Sequence, residues 1–355
     1  SRMATIKNSW KGKNGPLLIA EVGGNHEGDF KYAKKLVKLA IESGVDIVKL
    51  QLYKGSNLVS PTESKERYDH FKKFELSKKE HIHLAEMCKS SNVKYLASVW
   101  DLKMLEWIDD YLDYYKIGSG DLTAYPIIKE FAKRGKPIIL STGLSNIQEI
   151  KETIKFLQKQ NSIYKSKDNL AVLQCTSTYP TPDDEVNLNV IKTLKKETGM
   201  SVGYSDHSLG DLALRVAYTR GAEVMEFHFT DTRENKTFRD HKISLTAQEV
   251  LSLINDIKKP ALEILSSITD IRKMNILLGD SEKKVTKGEI KTNHVISFRR
   301  AIYSKNQLKA GDLLKEEDLV CLRPNHGVDA RSYEKMIGKK VKKDTLAYQR
   351  LEITD

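Results

Sequence analysis

The chain has 355 residues, 39% hydrophobic and 30% charged, with a net charge of +11. That composition excludes a disordered or fibrous protein, and no run of eighteen or more apolar residues offers a membrane span. The charge invites a nucleic-acid reading, but Lys31, Lys34, Lys35 and Lys38 fall on the wet face of one helix pattern and no basic stripe is interleaved with aromatics. Nucleic acid is therefore not expected as a partner, and small anionic substrates suit the charge better.

Ser1-Arg2 ahead of Met3 reads as an expression scar with no leader behind it. Cys88, Cys175 and Cys321 are too widely spaced for a disulfide framework or a CxxC site, so a reducing cytoplasm is the expected compartment. Eight short apolar runs follow: Leu17–Val22, Val45–Leu52, Val93–Val99, Tyr114–Ile117, Pro137–Ser141, Leu170–Thr176, Ser201–Ser205 and Ala222–Phe229. Most lack alternation, as expected of parallel strands buried on both faces. Between them lie amphipathic stretches such as Tyr32–Ser43, Glu80–Ser90, Ile147–Gln160 and Asp211–Arg220. Eight strand–helix units over roughly 250 residues predict an α/β fold, a (β/α)8 TIM barrel. A doubly wound sheet would need a glycine-rich phosphate loop after its first strand, and Gly23-Gly24-Asn25-His26-Glu27-Gly28 does not match one.

A helix is expected over Thr246–Ile264 with Thr246 as its N-cap. The catalytic domain is thus read as residues 1–278, followed by a polar linker at 279–297 and a small β-rich domain at 298–355 with turns at Lys309–Asp312 and Arg323–Gly327. About sixty residues would be marginal alone and should lean on another surface.

In such a barrel the chemistry sits at the carboxyl ends of the strands. Reading those positions collects Glu21, Lys49, Gln51, Ser98, Lys116, Ser119, Asp121, Ser141, Ser177 and Tyr179, with His207 and His228 on the last two strands. Either histidine alone could be a satisfied core residue. Together they offer two neutral imidazoles to a metal whose open positions take water and a carbonyl oxygen. Two lysines inside buried strands need anions. With Ser119, Ser141 and Ser205 nearby they suit a phosphate and a carboxylate together, while the structural alternative pairs them with Glu21 or Asp121. Gly118, Gly120 and Gly143 would let backbone amides approach an oxyanion.

These motifs, in order, resemble the sialic acid synthase family of nonulosonic acid synthases. They are Ile19–Gly28, Val48–Gln51, Tyr115–Asp121, Ile139–Gly143, Cys175–Pro182, Ser205–His207 and His228–Thr230, and the tail (Leu322–Gly327, Ile337–Lys339) resembles the family's antifreeze-like (SAF) domain. The resemblance implies a cytoplasmic transferase of carbohydrate biosynthesis, serving lipopolysaccharide or capsule, that condenses phosphoenolpyruvate with an N-acyl amino sugar and releases phosphate. It implies that Lys49, Ser98, Lys116, Ser119, Ser141, Ser177 and Ser205 hold phosphoenolpyruvate. His207 and His228 would hold a divalent ion, Mn2+ first, with Mg2+ or Co2+ as alternatives. Gln51, Tyr179 and Asp240 would contact the sugar, and Arg323 would reach the partner's site in a domain-swapped homodimer. Glu21 and Asp121 are the implied acid/base pair. Three segments depart from the family pattern: Asp121 replaces a usual Glu, Ala97–Trp100 replaces Ser-Thr-Pro-Phe, and Thr237–His241, with Arg239, replaces a Gly-Pro-Asp segment. The sugar is expected to be N-acetylmannosamine, or a 2,4-diacetamido-trideoxy hexose leading to legionaminic or pseudaminic acid. Two other readings compete: condensation with a phosphorylated sugar on the same barrel, and a sugar- or ice-binding module for which residues 298–355 lack a Thr-rich repeat.

Overall fold

The computed structural model describes residues 9–354, so the reading of Ser1-Arg2 falls outside the described residues. Eight parallel strands form the barrel in the expected order: Gly15–Glu21, Ile47–Leu52, Lys94–Val99, Tyr115–Ile117, Ile138–Ser141, Leu170–Gln174, Ser201–Asp206 and Val224–His228. The first strand pairs with the eighth, and the ladder is continuous except between strands three and four. There a single bridge, Tyr95 to Leu112, marks the seam of a nearly closed barrel. Leu17, Ile19, Ile47, Leu96, Ile139, Ala171, Leu173 and Val224 fill the interior below the site. The outward-facing strand residues join the helices in one larger core.

The crossover helices begin where capping chemistry starts them. Asp29 caps Phe30–Glu42, and capping boxes open Lys78–Ser90 (Ser77 with Glu80) and Ile147–Gln160 (Asn146 with Glu149). Thr246 is a cap as expected, paired with Glu249. The helix it starts ends at Ile257, however, and a second spans Ala261–Ser267. Pro260 lies between them, and its missing N–H and ring clash break the continuous helix that the periodicity suggested.

The tail is β-rich as read, with an antiparallel sheet of Leu319–Leu322, Ala301–Ser304 and Val328–Asp329 and a two-stranded pair of Lys340–Val341 with Ile353–Thr354. It leans on the barrel of its own chain. Arg323 N donates to Leu58 O and Ser60 N to Arg323 O, both at 2.8 Å. The connection at 279–297 is less solvated than its polar sequence suggested: Lys283, Glu289 and His294 are buried in it. Among the described residues no helix is long and apolar enough to cross a membrane.

Candidate active site

The carboxyl ends of the strands open into one cavity of about 530 Å3. All fifteen site residues read from the sequence line it, from Glu21 on the first strand to Arg323 in the tail. Strand register explains the floor. Glu21 stands opposite Lys49 on strand two, and Ser205 opposite Glu226 on strand eight. Lys49 Nζ is 2.8 Å from Glu21 and 3.4 Å from Glu226, and it donates to Ser98 Oγ at 3.0 Å. Lys116 Nζ lies 3.6 Å from Glu226, which also accepts from the Ser205 hydroxyl at 2.8 Å.

The structural alternative is seen for Glu21 but not for Asp121, with Glu226 as the second partner. The lysines face the cavity, and they are neutralised by two carboxylates at its floor. The four buried groups do not titrate alike. Burial lifts Glu21 above the ordinary carboxylate range despite Lys49. Burial acts on Glu226 too, but Lys116 and Lys49 outweigh it and hold that carboxyl well below its usual value. Burial pulls Lys116 down, while Glu21 and Glu226 overcome burial at Lys49 and raise it. Burial thus dominates at Glu21, while the two lysines dominate at Glu226.

Hydroxyls gather around this floor. Ser141 Oγ is buried without a partner, and Ser119 Oγ accepts from the Gly143 amide at 2.9 Å. A Cβ on Gly143 would sit 2.3 Å from Ser177 Oγ and 2.8 Å from Ser119 Oγ, so only glycine lets those two hydroxyls converge. Gly120, which also lines the cavity, has a packing role. Its missing Cβ makes room for the Phe298 carbonyl, 2.2 Å from where that atom would lie.

One step up the strands stand the histidines, two residues beyond Ser205 and Glu226 on the same face. Their ring centroids are 5.3 Å apart. His207 Nδ1–H donates to Thr176 O at 2.9 Å, which leaves Nε2 free. His228 Nδ1 is buried without a partner, and burial lowers its pKa to about 3. Two imidazoles with free ring nitrogens, one of them held neutral, fit a divalent cation with open positions. Among the described residues no third His, Cys, Asp or Glu completes a closed metal cluster.

Above them the Tyr179 ring packs 4.3 Å from that of His207, and the Arg239 guanidinium lies 4.1 Å from the Tyr179 ring centroid. Arg239 donates to Asp240 Oδ1 at 2.8 Å. Asp121 at the rim is gripped by Arg300, whose Nε donates to Oδ1 at 2.8 Å. Arg323, 8% exposed, stacks on Trp100 at 4.7 Å.

A family model described as the NeuB family matches residues 36–268, and one described as the SAF domain matches residues 299–347. The chain belongs to the NeuB family. It is 36% identical over 336 residues to an N,N'-diacetyllegionaminic acid synthase of Campylobacter jejuni, covering 91% of this chain and 95% of that one. Identity is 27% over 349 residues to the human N-acetylneuraminate-9-phosphate synthase, with 94% and 90% covered. A solved N-acetylneuraminic acid synthetase from Leptospira borgpetersenii, in complex with citrate, superposes with a TM-score of 0.63 at 28% identity over 80% of this chain and 92% of that one. A spore coat polysaccharide biosynthesis protein from Bacillus subtilis, 24% identical, shares the fold over 95% and 93% of the two chains with a TM-score of 0.77.

Arg323, expected to reach a partner's site in a swapped homodimer, lines the cavity of its own chain in this single-chain structure. The anchored connection brings it there. Lys283 Nζ donates to Gln174 Oε1 at 2.8 Å, His294 Nδ1–H to Ser177 O at 2.7 Å, and Glu289 Oε2 accepts from Leu144 N at 2.6 Å and Ser177 N at 2.9 Å. Held at these points, the chain re-emerges at the rim, where Arg300 meets Asp121 and the following strands bring Arg323 over the mouth.

Sequence reading missed Glu226, Glu289, Arg300 and Arg67. Glu226 had a usable signal, since Glu226 and His228 share a face by strand alternation. Arg67 lies on the helix Lys65–Phe74, inside a crossover with no strand end to mark it.

Proposed function

We propose that this NeuB-family chain condenses phosphoenolpyruvate with the open-chain form of an N-acylated amino sugar, yielding a nine-carbon nonulosonic acid and phosphate. The supporting observation is the arrangement of Lys49 and Lys116 with a ring of serine hydroxyls directly beneath two imidazoles, in one cavity. Phosphate and carboxylate of phosphoenolpyruvate take the N–H groups of Lys49 and Lys116 and the hydroxyls of Ser98, Ser119, Ser141, Ser177 and Ser205. His207 and His228 would hold the divalent ion, Mn2+ in the first place, which when bound polarises the sugar's carbonyl oxygen.

Gln51, Tyr179 and Asp240 orient the sugar above that pair, and Arg323 offers its N–H edge to the N-acyl oxygen. Carbon C3 of phosphoenolpyruvate bonds to the carbonyl carbon, the carbonyl oxygen takes a proton from Glu21, whose burial-raised pKa suits the transfer, and the positive charge left at C2 is faced by carboxylates below and beside it. Water adds at C2 and returns a proton to Glu21. Asp121, held by Arg300, stands at the rim as the second carboxylate. The C2–O bond to phosphate then breaks as the C2 hydroxyl passes its proton to the departing phosphate, leaving a ketone. Holding both reactants in one cavity is worth about 7–11 kcal/mol in favourable cases.

The test is phosphate release by the full chain with Mn2+, phosphoenolpyruvate and either N-acetylmannosamine or a 2,4-diacetamido-trideoxy hexose. Release that requires both the sugar and the metal supports the reading; release without sugar, or none with any N-acyl sugar, overturns it.

Glu289 is a positioning residue in this scheme. Its carboxylate fixes the amides of Leu144 and Ser177, and charged hydrogen bonds of this kind are worth about 1.5–3 kcal/mol. Glu289→Gln keeps the shape but turns its amide NH2 either toward the Leu144 and Ser177 N–H groups at Oε2 or toward the Thr286 N–H at Oε1. The KM for phosphoenolpyruvate is expected to rise about tenfold or more, corresponding to roughly 1.4 kcal/mol, with the KM for sugar nearly unchanged. Equal changes in both would indicate a merely structural role.

A further inference from the structure

The floor of the cavity is electrically balanced before any substrate arrives. Lys49 and Lys116 are matched there by Glu21 and Glu226, and all four groups are buried. The two carboxylates hold the lysines differently. Glu21 touches Lys49 alone, at 2.8 Å. Glu226 stands between both ammonium groups, 3.4 Å from Lys49 and 3.6 Å from Lys116. Both separations exceed the roughly 2.7–2.9 Å of a charged hydrogen bond. Glu226 therefore balances two lysines by its field, and among the described residues it is the one ion-pair partner of Lys116, whose N–H groups it does not take up.

Glu226 is itself anchored at one oxygen. Its Oε1 accepts from Ser205 Oγ at 2.8 Å, while Oε2, turned toward Lys49, is buried without a hydrogen bond. Strand register fixes that arrangement, because Ser205 and Glu226 are opposite each other on strands seven and eight.

Phosphoenolpyruvate brings to this neutral floor a carboxylate and a phosphate of about −1.5 to −2. Its phosphate reaches the lysine N–H groups only by standing beside Glu226, and like charges repel more strongly in a buried site than in water. The intact substrate withstands that repulsion because its carboxylate, borne on the same carbon, is held by contacts of its own. Once the C2–O bond breaks, phosphate has lost that tether and meets the carboxylate alone. Resting on the condensation reading above, we infer that Glu226 is a resident counter-anion that reclaims Lys49 and Lys116 from the product phosphate and so drives its release. In this role Glu226 is a positioning residue, acting through the lysines and on no bond of the substrate.

The test removes the charge and keeps the shape with Glu226→Gln. Calorimetric titration of inorganic phosphate into the full chain reads the exchange without sugar or turnover. The Kd for phosphate is expected to fall about tenfold or more in Glu226→Gln and to move less in Glu226→Asp, which keeps the charge. Turnover with Mn2+ and either N-acyl sugar is followed by phosphoenolpyruvate consumption. There the KM for phosphoenolpyruvate should fall together with kcat, and the first turnover should appear as a burst ahead of slow phosphate release. A merely structural loss lowers kcat with no burst and no gain in phosphate affinity. Should Glu226→Gln fail to fold, the same titration compares Lys116→Met/Glu226→Gln, whose floor is charge-balanced, with Lys116→Met, and the double variant is expected to bind phosphate more tightly. Phosphate affinity that is unchanged or weakened, or that tightens with no burst, overturns the inference and leaves the condensation reading intact. No consumption with any N-acyl sugar overturns that reading and this inference with it.

Discussion

Lys116→Met is expected to reduce phosphate release at least about a thousandfold and to destabilise the fold by about 3–5 kcal/mol, the usual cost of stripping one partner from a buried charge cluster. In the intact site Lys49 sits between Glu21 and Glu226, and Lys116 supplies the second positive charge. Without it, two buried carboxylates share one ammonium. Glu226, now held well below the carboxylate range by Lys116 and Lys49, would rise above it.

The pH dependence gives this prediction its signature. In the wild type, Glu226 has a depressed folded pKa, so its contribution is present above the unfolded value of 4.5 and is lost as pH falls through the folded value. In Lys116→Met the folded pKa is raised. The folded protein then holds a proton that the unfolded chain has released, and stability is lost as pH rises from that unfolded value through the folded one. Denaturant midpoints of the two proteins should therefore diverge as pH rises from 5 to 8. Adding Glu226→Gln should restore much of the stability but none of the activity, a double-mutant result that separates charge balance from catalysis. Substantial activity in the single variant would remove Lys116 from the substrate site.

The barrel was legible because parallel strands buried on both faces leave largely apolar runs, and because the polar residues at the carboxyl ends of those runs converge on the cavity. Glu21, Lys49, Lys116, Ser205, His207 and His228 could be collected on that ground alone. The same rule missed Glu226, which looked like an isolated charge in Val224–His228 until the register set it opposite Ser205. Periodicity also ran the last long helix through Pro260, where local backbone chemistry overrides the apolar spacing.

Residues outside the strands were harder. Arg67 belongs to a crossover helix, and only tertiary packing brings it over Phe298. The connection at 279–297 has a solvated composition, and no local pattern announces that Glu289 and Lys283 are buried in contact with strand six. Asp121 was readable as a rim carboxylate, but Arg300, which grips it, lies 179 residues away. Long-range charge pairing of that kind leaves no periodic trace. The same connection sets the placement of Arg323 over the mouth.

His228→Gln is expected to abolish metal-dependent phosphate release, a loss of about 1000-fold or more given that a polarising cation contributes several kcal/mol, while leaving the fold as stable as the wild type or more so. The two effects belong together. His228 is buried with an unpartnered Nδ1 and a pKa lowered to about 3, so the site keeps an imidazole dehydrated without a protein hydrogen bond to reward it. Such a group is a liability to folding and becomes favourable only when a ligand takes its free nitrogen. His207 differs, because its Nδ1–H satisfies Thr176 O; His207→Ala should lose both activity and about 1–2 kcal/mol of stability. Calorimetric titration of Mn2+ into the wild type and both variants reads binding independently of turnover. Mn2+ affinity that survives in His228→Gln, or a large loss of stability in that variant, would return His228 to the packed interior and leave the cation to be held elsewhere.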